Sequence, residues 1–114
     1  KGSVVAYSNE IKIRILGVSE ENLSRYGAVS REVVEEMALQ SCKLLNTDFA
    51  VATSGISGPG GGTEEKPVGT VWIAVANRAK VTSQLYNLGN DRERTIARTA
   101  QTALFMLRKL VQSI

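Results

Sequence analysis

The sequence predicts an α/β fold: a three-layer α/β/α sandwich around a mixed sheet, carried by a single domain of 114 residues. Three observations point there. Two apolar runs, Phe49–Ala52 and Val71–Ala76, suit buried strands. The stretch Lys80–Leu88 alternates, with Val81, Ser83, Leu85 and Asn87 on one side and Thr82, Gln84, Tyr86 and Leu88 on the other. Two longer segments, one opening at Arg31 and one near Asp91, place apolar residues three and four apart, as a helix with one buried stripe does.

In chain order, Ser3–Tyr7 is a short apolar run and reads as a first strand. Ser8 or Asn9 caps a helix over Glu10–Leu16, which Gly17 closes. A turn of helix follows around Glu20–Ser24. Ser30 caps the helix Arg31–Leu45, whose core stripe is Val34, Met37, Ala38, Ser41, Leu44 and Leu45. Asp48–Ser54 is the second strand, buried on both faces, and Gly69–Asn77 the third. The fourth, Lys80–Leu88, follows so closely on Arg78-Ala79 that it pairs antiparallel with the third. Asn90 or Asp91 caps the last helix, with Ile96, Ala100, Ala103, Leu104, Leu107, Leu110 and Val111 as its buried stripe.

Composition removes several kinds of chemistry. The 14 basic and 11 acidic residues are interleaved and leave a net charge of +3, with no basic tail or basic-aromatic stripe, so nucleic acid is not an expected partner. Histidine is absent, which removes Ser-His-Asp catalysis and His-ligated metal from this chain. The single cysteine, Cys42, falls in a helical pattern and reads as a small core residue; no metal site and no cofactor is expected. No apolar run reaches the ~20 residues of a membrane span, so no membrane partner is expected and a cytoplasmic protein is the simplest reading.

Chemistry concentrates in one loop. Thr53–Thr70 reads T-S-G-I-S-G-P-G-G-G-T-E-E-K-P-V-G-T and holds six of the ten glycines and both prolines. No Lys-Ser/Thr pair follows its glycines, and a strand rather than a helix comes next. That rules out the P-loop and dinucleotide fingerprints. Its backbone N–H groups suit an anion nest or an oxyanion hole; the plain alternative is a glycine-dense turn between strands. Thr53 and Ser54, at a strand end, either face a ligand crevice or cap loop amides. Tyr7-Ser8-Asn9-Glu10-Ile11-Lys12 brings a hydroxyl, an amide and an amine together. A partly buried Lys12 would have a lowered pKa and could act as a base; an ordinary surface lysine is the alternative. Arg92, Arg94 and Arg98 lie near a helix N-terminus, where cations oppose the helix dipole unless they meet an anion or are offset by Asp91 and Glu93.

Five segments in this order, Val4–Lys12, Gly27–Ser30, Ala52–Gly62, Lys66–Ile73 and Gly89–Arg92, resemble the C-terminal domain of the CinA (competence/damage-inducible) family, which also occurs as a stand-alone nicotinamide-nucleotide amidase. The resemblance spans essentially the whole chain. It implies a metal-independent three-layer domain that hydrolyses the carboxamide of nicotinamide mononucleotide to nicotinate mononucleotide and ammonia, within pyridine-nucleotide salvage. It matches Lys12 to the family's proposed catalytic lysine, and Thr53 and Ser54 to its hydroxyl partner position. The substrate wall falls on Tyr7, Ser8, Asn9, Gly55, Gly58, Gly60, Gly61 and Gly62, and the basic positions suited to the phosphate on Arg92 and Arg98. Family members also carry an upstream E-S-C-T-G-G segment whose serine is the expected nucleophile. This chain lacks it, so the domain is expected to be truncated by roughly forty residues, about a strand-plus-helix unit. The 114 residues alone are therefore expected to be inactive. Self-association into a homo-oligomer would cover an apolar face left by the missing segment. The competing reading is a noncatalytic nucleotide- or phosphate-binding module with a regulatory role.

Overall fold

Strand β2 (Thr70–Asn77) runs through the middle of a three-stranded sheet of order β1-β2-β3, between β1 (Phe49–Gly55) and β3 (Val81–Asn87), in a computed structural model that describes residues 1–113. Helices α1 (Asn9–Arg14), α2 (Glu20–Tyr26) and α3 (Arg31–Leu45) precede the sheet and α4 (Arg92–Gln112) follows it. Successive β2 side chains serve opposite faces, as pleating requires. Trp72, Ala74 and Ala76 pack with Val33, Val34, Met37 and Ala38 of α3, while Val71 and Ile73 pack with Ala103 of α4. Helices on both faces of one sheet make the α/β layered class that the alternating pattern predicts.

The helix starts follow from their caps. Ser8, Ser19, Ser30 and Asp91 each accept a hydrogen bond from the backbone N–H three residues on, satisfying a donor that the first helical turn leaves free. Helix α3 stops at Asn46, which takes the left-handed conformation at φ 51°. The β2–β3 turn is held by Asn77, whose Oδ1 accepts from the N–H groups of Ala79 (2.9 Å) and Lys80 (2.7 Å). No described helix is long and apolar enough to cross a membrane.

Several expectations need correction. Both strand pairs are antiparallel, so the described sheet is not mixed. Ser3–Tyr7 is not a strand: no backbone bond joins it to the sheet, and Val5 and Tyr7 are 83% and 94% exposed. A strand exists only through its ladder; this segment lines a groove together with β1 and packs Val4 and Ala6 on the core, with no ladder bond to the sheet. β1 is an edge strand, so of its side chains only Ala52 is buried, against the expected two-sided burial. On α3, Leu44 is 49% exposed while Val33 and Cys42 are buried. On α4 the expected stripe is largely uncovered. Ile96, Leu104 and Val111 stand 51%, 63% and 46% exposed, and only Ala103 of the stripe is buried, along with Thr95. The helical period is real, but among the described residues β1 ends the sheet on that side, and Ile96, Leu104 and Val111 stay uncovered.

Where the chain leaves and re-enters the sheet, two glycines touch. Gly69 has φ +96°, and a Cβ built on it would collide with the carbonyl oxygen of Gly89. The Leu88 N–H donates to the Gly69 carbonyl at 2.9 Å, so the approach is fixed from both strands. Gly69→Ala combines a strained φ with that clash, and should cost about 2 kcal/mol or more, read from the urea unfolding midpoint.

Candidate functional site

The loop 56–69 is a long β-hairpin connection whose base is zipped. Ile56 N–H donates to Thr70 O (2.9 Å) and Gly69 N–H to Ile56 O (2.6 Å); further out, Thr63 N–H donates to Lys66 O (2.9 Å). Between these points the N–H groups of Ser57, Gly58, Gly60, Gly61 and Gly62 donate to no acceptor among the described residues. Gly58 and Gly61 hold φ of +77° and +88°, which only glycine adopts freely. A row of free backbone donors on a zipped base suits an anionic group.

Beside this loop runs a groove of about 850 Å³ between the N-terminal segment, β1 and α4. Lys12, Tyr7, Thr53, Ser54 and Gly55 line it together. Lys12 is the notable member. Only 7% of it is exposed, and its Nζ donates to the Ala6 carbonyl at 2.7 Å. Burial pushes its amine below the ordinary value of 10.5, because a charged ammonium loses its water there. Lys12 reaches this position because Ser8 starts α1 four residues earlier and the Lys12 N–H bonds back to Ser8 O (3.1 Å). The surface-lysine alternative therefore does not hold.

The remaining predicted residues divide. Thr53 and Ser54 are neighbours on a strand, so they point to opposite faces. Thr53 also lines a second cavity of about 320 Å³ on the α4 side, with Gly55, Ser57, Thr95 and Thr99. Ser54 turns to the α3 layer, where its Oγ donates to Ala28 O at 2.8 Å. The two hydroxyls cannot serve one reacting atom. Ser8 spends its hydroxyl on the α1 cap, and Asn9 is exposed in the first turn of that helix. Arg92 grips the loop: its Nη1 donates to Ser57 Oγ (2.6 Å) and Gly58 O (2.9 Å). Arg98 is placed apart from the loop, with Nη1 on Leu88 O at 3.4 Å. Gly60 and Gly61 stand on the exposed part of the loop, and Gly62 lies against the backbone of Val68.

Sequence reasoning missed Ser57, Thr95 and Thr99 as cavity-lining hydroxyls. Thr95 and Thr99 are four apart on α4, a spacing that marks a shared face, though only the β1–α4 packing shows that this face borders the loop. It also missed Lys66, whose Nζ donates to Tyr26 O at 2.7 Å.

Comparison with known proteins agrees with this architecture. The family model described as CinA C-terminal domain matches residues 1–111. A CinA-like protein of Fervidobacterium nodosum is 55% identical over 109 residues, 96% of this chain and 27% of that protein. A CinA-like protein of Cytophaga hutchinsonii is 49% identical over 99% of this chain and 27% of that protein. Among solved structures, the competence/damage inducible protein CihA from Agrobacterium tumefaciens superposes with a TM-score of 0.88 at 42% identity, covering 91% of this chain and 64% of that one. A CinA superfamily protein from Klebsiella pneumoniae gives 0.92 at 34% identity, covering 97% and 69%. The chain thus spans about a quarter of these curated relatives and about two thirds of these solved chains. With a family model over nearly its whole length and relatives at about half identity, the chain belongs to the CinA C-terminal domain family.

Proposed function

We propose that this domain forms the substrate pocket of a cytoplasmic amidohydrolase that converts nicotinamide mononucleotide to nicotinate mononucleotide and ammonia. One observation carries the reading. A buried lysine amine with a lowered pKa lines the same groove as the strand end from which the free-donor loop opens. A lowered pKa raises the share of the amine that is uncharged, and the uncharged form is the one that can take a proton. Loop N–H groups are suited to the negative oxygen that forms when an amide carbon is attacked, each such donor contributing about 3 kcal/mol in known cases. Arg92, beside the loop, suits the phosphate end of a mononucleotide.

In this scheme Lys12 takes the proton of an attacking serine hydroxyl, and that oxygen bonds to the carboxamide carbon. The C–N bond then breaks, with the proton returned from Lys12 so that nitrogen leaves as ammonia. Water next attacks the ester, giving the carboxylate and restoring the serine. Residues 1–114 contribute the base, the anion-binding loop and the phosphate end; the serine belongs to a family segment outside them. Ser54 does not fill this role, because its hydroxyl is held by Ala28 O on the opposite face of the sheet from Thr53. That same commitment favours, as the second reading, a domain that binds a nucleotide without cleaving it.

Ammonia release from nicotinamide mononucleotide by the full-length protein separates the two. Lys12→Met should lower kcat by about 10²–10⁴ while leaving nucleotide affinity within about threefold; a variant of unchanged rate removes Lys12 from the chemistry. Binding without any ammonia would establish the second reading.

The Lys12 amine also fixes a pH dependence. In the unfolded chain it holds its proton up to 10.5, whereas in the folded chain it releases it earlier. Between those values the unfolded state binds more protons, so stability rises with pH across that window and is flat below it. Urea midpoints from about pH 7 to about pH 10 should climb for the native chain relative to Lys12→Met, which has no amine to titrate there. Parallel curves would contradict the burial of the amine.

A further inference from the structure

Three consecutive backbone carbonyls, at Tyr26, Gly27 and Ala28, each accept a side-chain donor from a different part of the fold. Lys66 Nζ from the glycine-rich loop reaches Tyr26 O at 2.7 Å, Ser30 Oγ from the α3 cap reaches Gly27 O at 2.8 Å, and Ser54 Oγ from β1 reaches Ala28 O at 2.8 Å. Gly27 has φ +79°, and a Cβ there would stand 3.3 Å from Lys66 Nζ, tighter than ordinary contact. The glycine thus leaves the space that the amine occupies. On the opposite side of the sheet, Arg92 holds the same loop at Ser57 and Gly58.

We infer that Lys66 is a positioning residue: docked on the Tyr26–Ala28 turn, it latches the glycine-rich loop to the α2–α3 layer, as Arg92 latches it to α4, and so holds the free N–H groups of the loop in place. The bond is worth more than a surface contact for two reasons. The donor is charged and half-buried, and its acceptor lies on a turn that Ser30 and Ser54 already fix. The loop's own bonds secure only its base and the Thr63–Lys66 turn. Without the latch, the segment from Ser57 to Gly62 keeps its packing of Gly58 and Gly62 on Val68, and among the described residues Arg92 supplies its only hydrogen bonds. The consequence for nucleotide turnover rests on the reading in the previous subsection; the loop's order does not.

Hydrogen exchange over residues 56–69 tests the latch without any ligand. Lys66→Met keeps the apolar stem and removes the donor. It should speed exchange of the loop amides about tenfold while core amides of β2 stay unchanged. Glu64→Gln, at an exposed loop position whose carboxylate makes no hydrogen bond or ion pair among the described residues, should match the native chain. Gly27→Val, which crowds the amine's seat, should reproduce the Lys66→Met pattern in the loop. Native-like loop exchange in Lys66→Met overturns the latch. In the full-length protein, Lys66→Met should then lower kcat for nicotinamide mononucleotide about tenfold with KM within about twofold, because the donors it holds act on the oxyanion. Faster loop exchange with an unchanged kcat would overturn its positioning role. Faster loop exchange in a protein that neither binds nor cleaves the nucleotide would uphold the latch and reject the amidase.

Discussion

The two-sided burial of β2 is the constraint on which the rest depends. Val71, Ile73, Ala74, Val75 and Ala76 are all 3% exposed or less, and they alternate between the core under α3 and the core under α4. Full burial of a branched aliphatic side chain contributes about 1.5–3 kcal/mol, so this one strand ties both helical layers to a common plane. The small residues matter as much as the large. Ala74 and Ala76 let α3 lie close, so that Val33, Val34 and Ala38 reach zero exposure. The glycine-rich loop and the entry to α4 both lie at one end of the sheet this strand centres. Thr70 begins it at the foot of the glycine-rich loop, and Gly69 just before it touches Gly89 ahead of α4.

From that plane the candidate site follows by displacement to one edge. β1 pairs only on its inner side, and among the described residues its outer side faces the groove that Lys12 lines. The short helix α1 sets the lysine there. Its cap at Ser8 sets the helical register, and in that register Lys12 is the buried residue while Glu10 and Arg14 face solvent. Burial of an amine is ordinarily unfavourable. Here the Ala6 carbonyl supplies one partner, and the lowered pKa is the remaining cost made visible as chemistry. The exposed apolar stripe of α4, with Ile96 and Leu104 beside the same edge, shows that this flank is the least covered part of the fold.

The glycine-rich loop combines openness at its crest with restraint at its margins. Its free N–H groups are useful to a ligand only if they stay put, and glycine alone supplies no stiffness. Restraint comes from the zipped base and from bonds to the two helical layers, through Arg92 of α4 on one side and through Lys66 on the Tyr26 carbonyl on the other. Preorganised donors of this kind stabilise a developing negative charge without reorganising when it appears.

Local signals in the sequence placed a helix start at Ser30 and narrowed two others to Ser8 or Asn9 and to Asn90 or Asp91, and they gave the α3 span, the β2–β3 hairpin and the long glycine-rich connection. Caps, turns and periodicity act over a few residues, so they are written where they operate. The candidate site was legible in its residue types, with Lys12 and the glycines identified, but not in their orientation. Tertiary structure alone decided that Ser54 is held by the Ala28 carbonyl while Thr53 borders the cavity under α4, that Ser3–Tyr7 pairs with nothing in the described sheet, and that the α4 stripe stays half uncovered. It alone gave Lys66 a partner 40 residues away. The reason is physical: burial and pairing depend on what lies opposite a segment, and the segment's own residues do not state that.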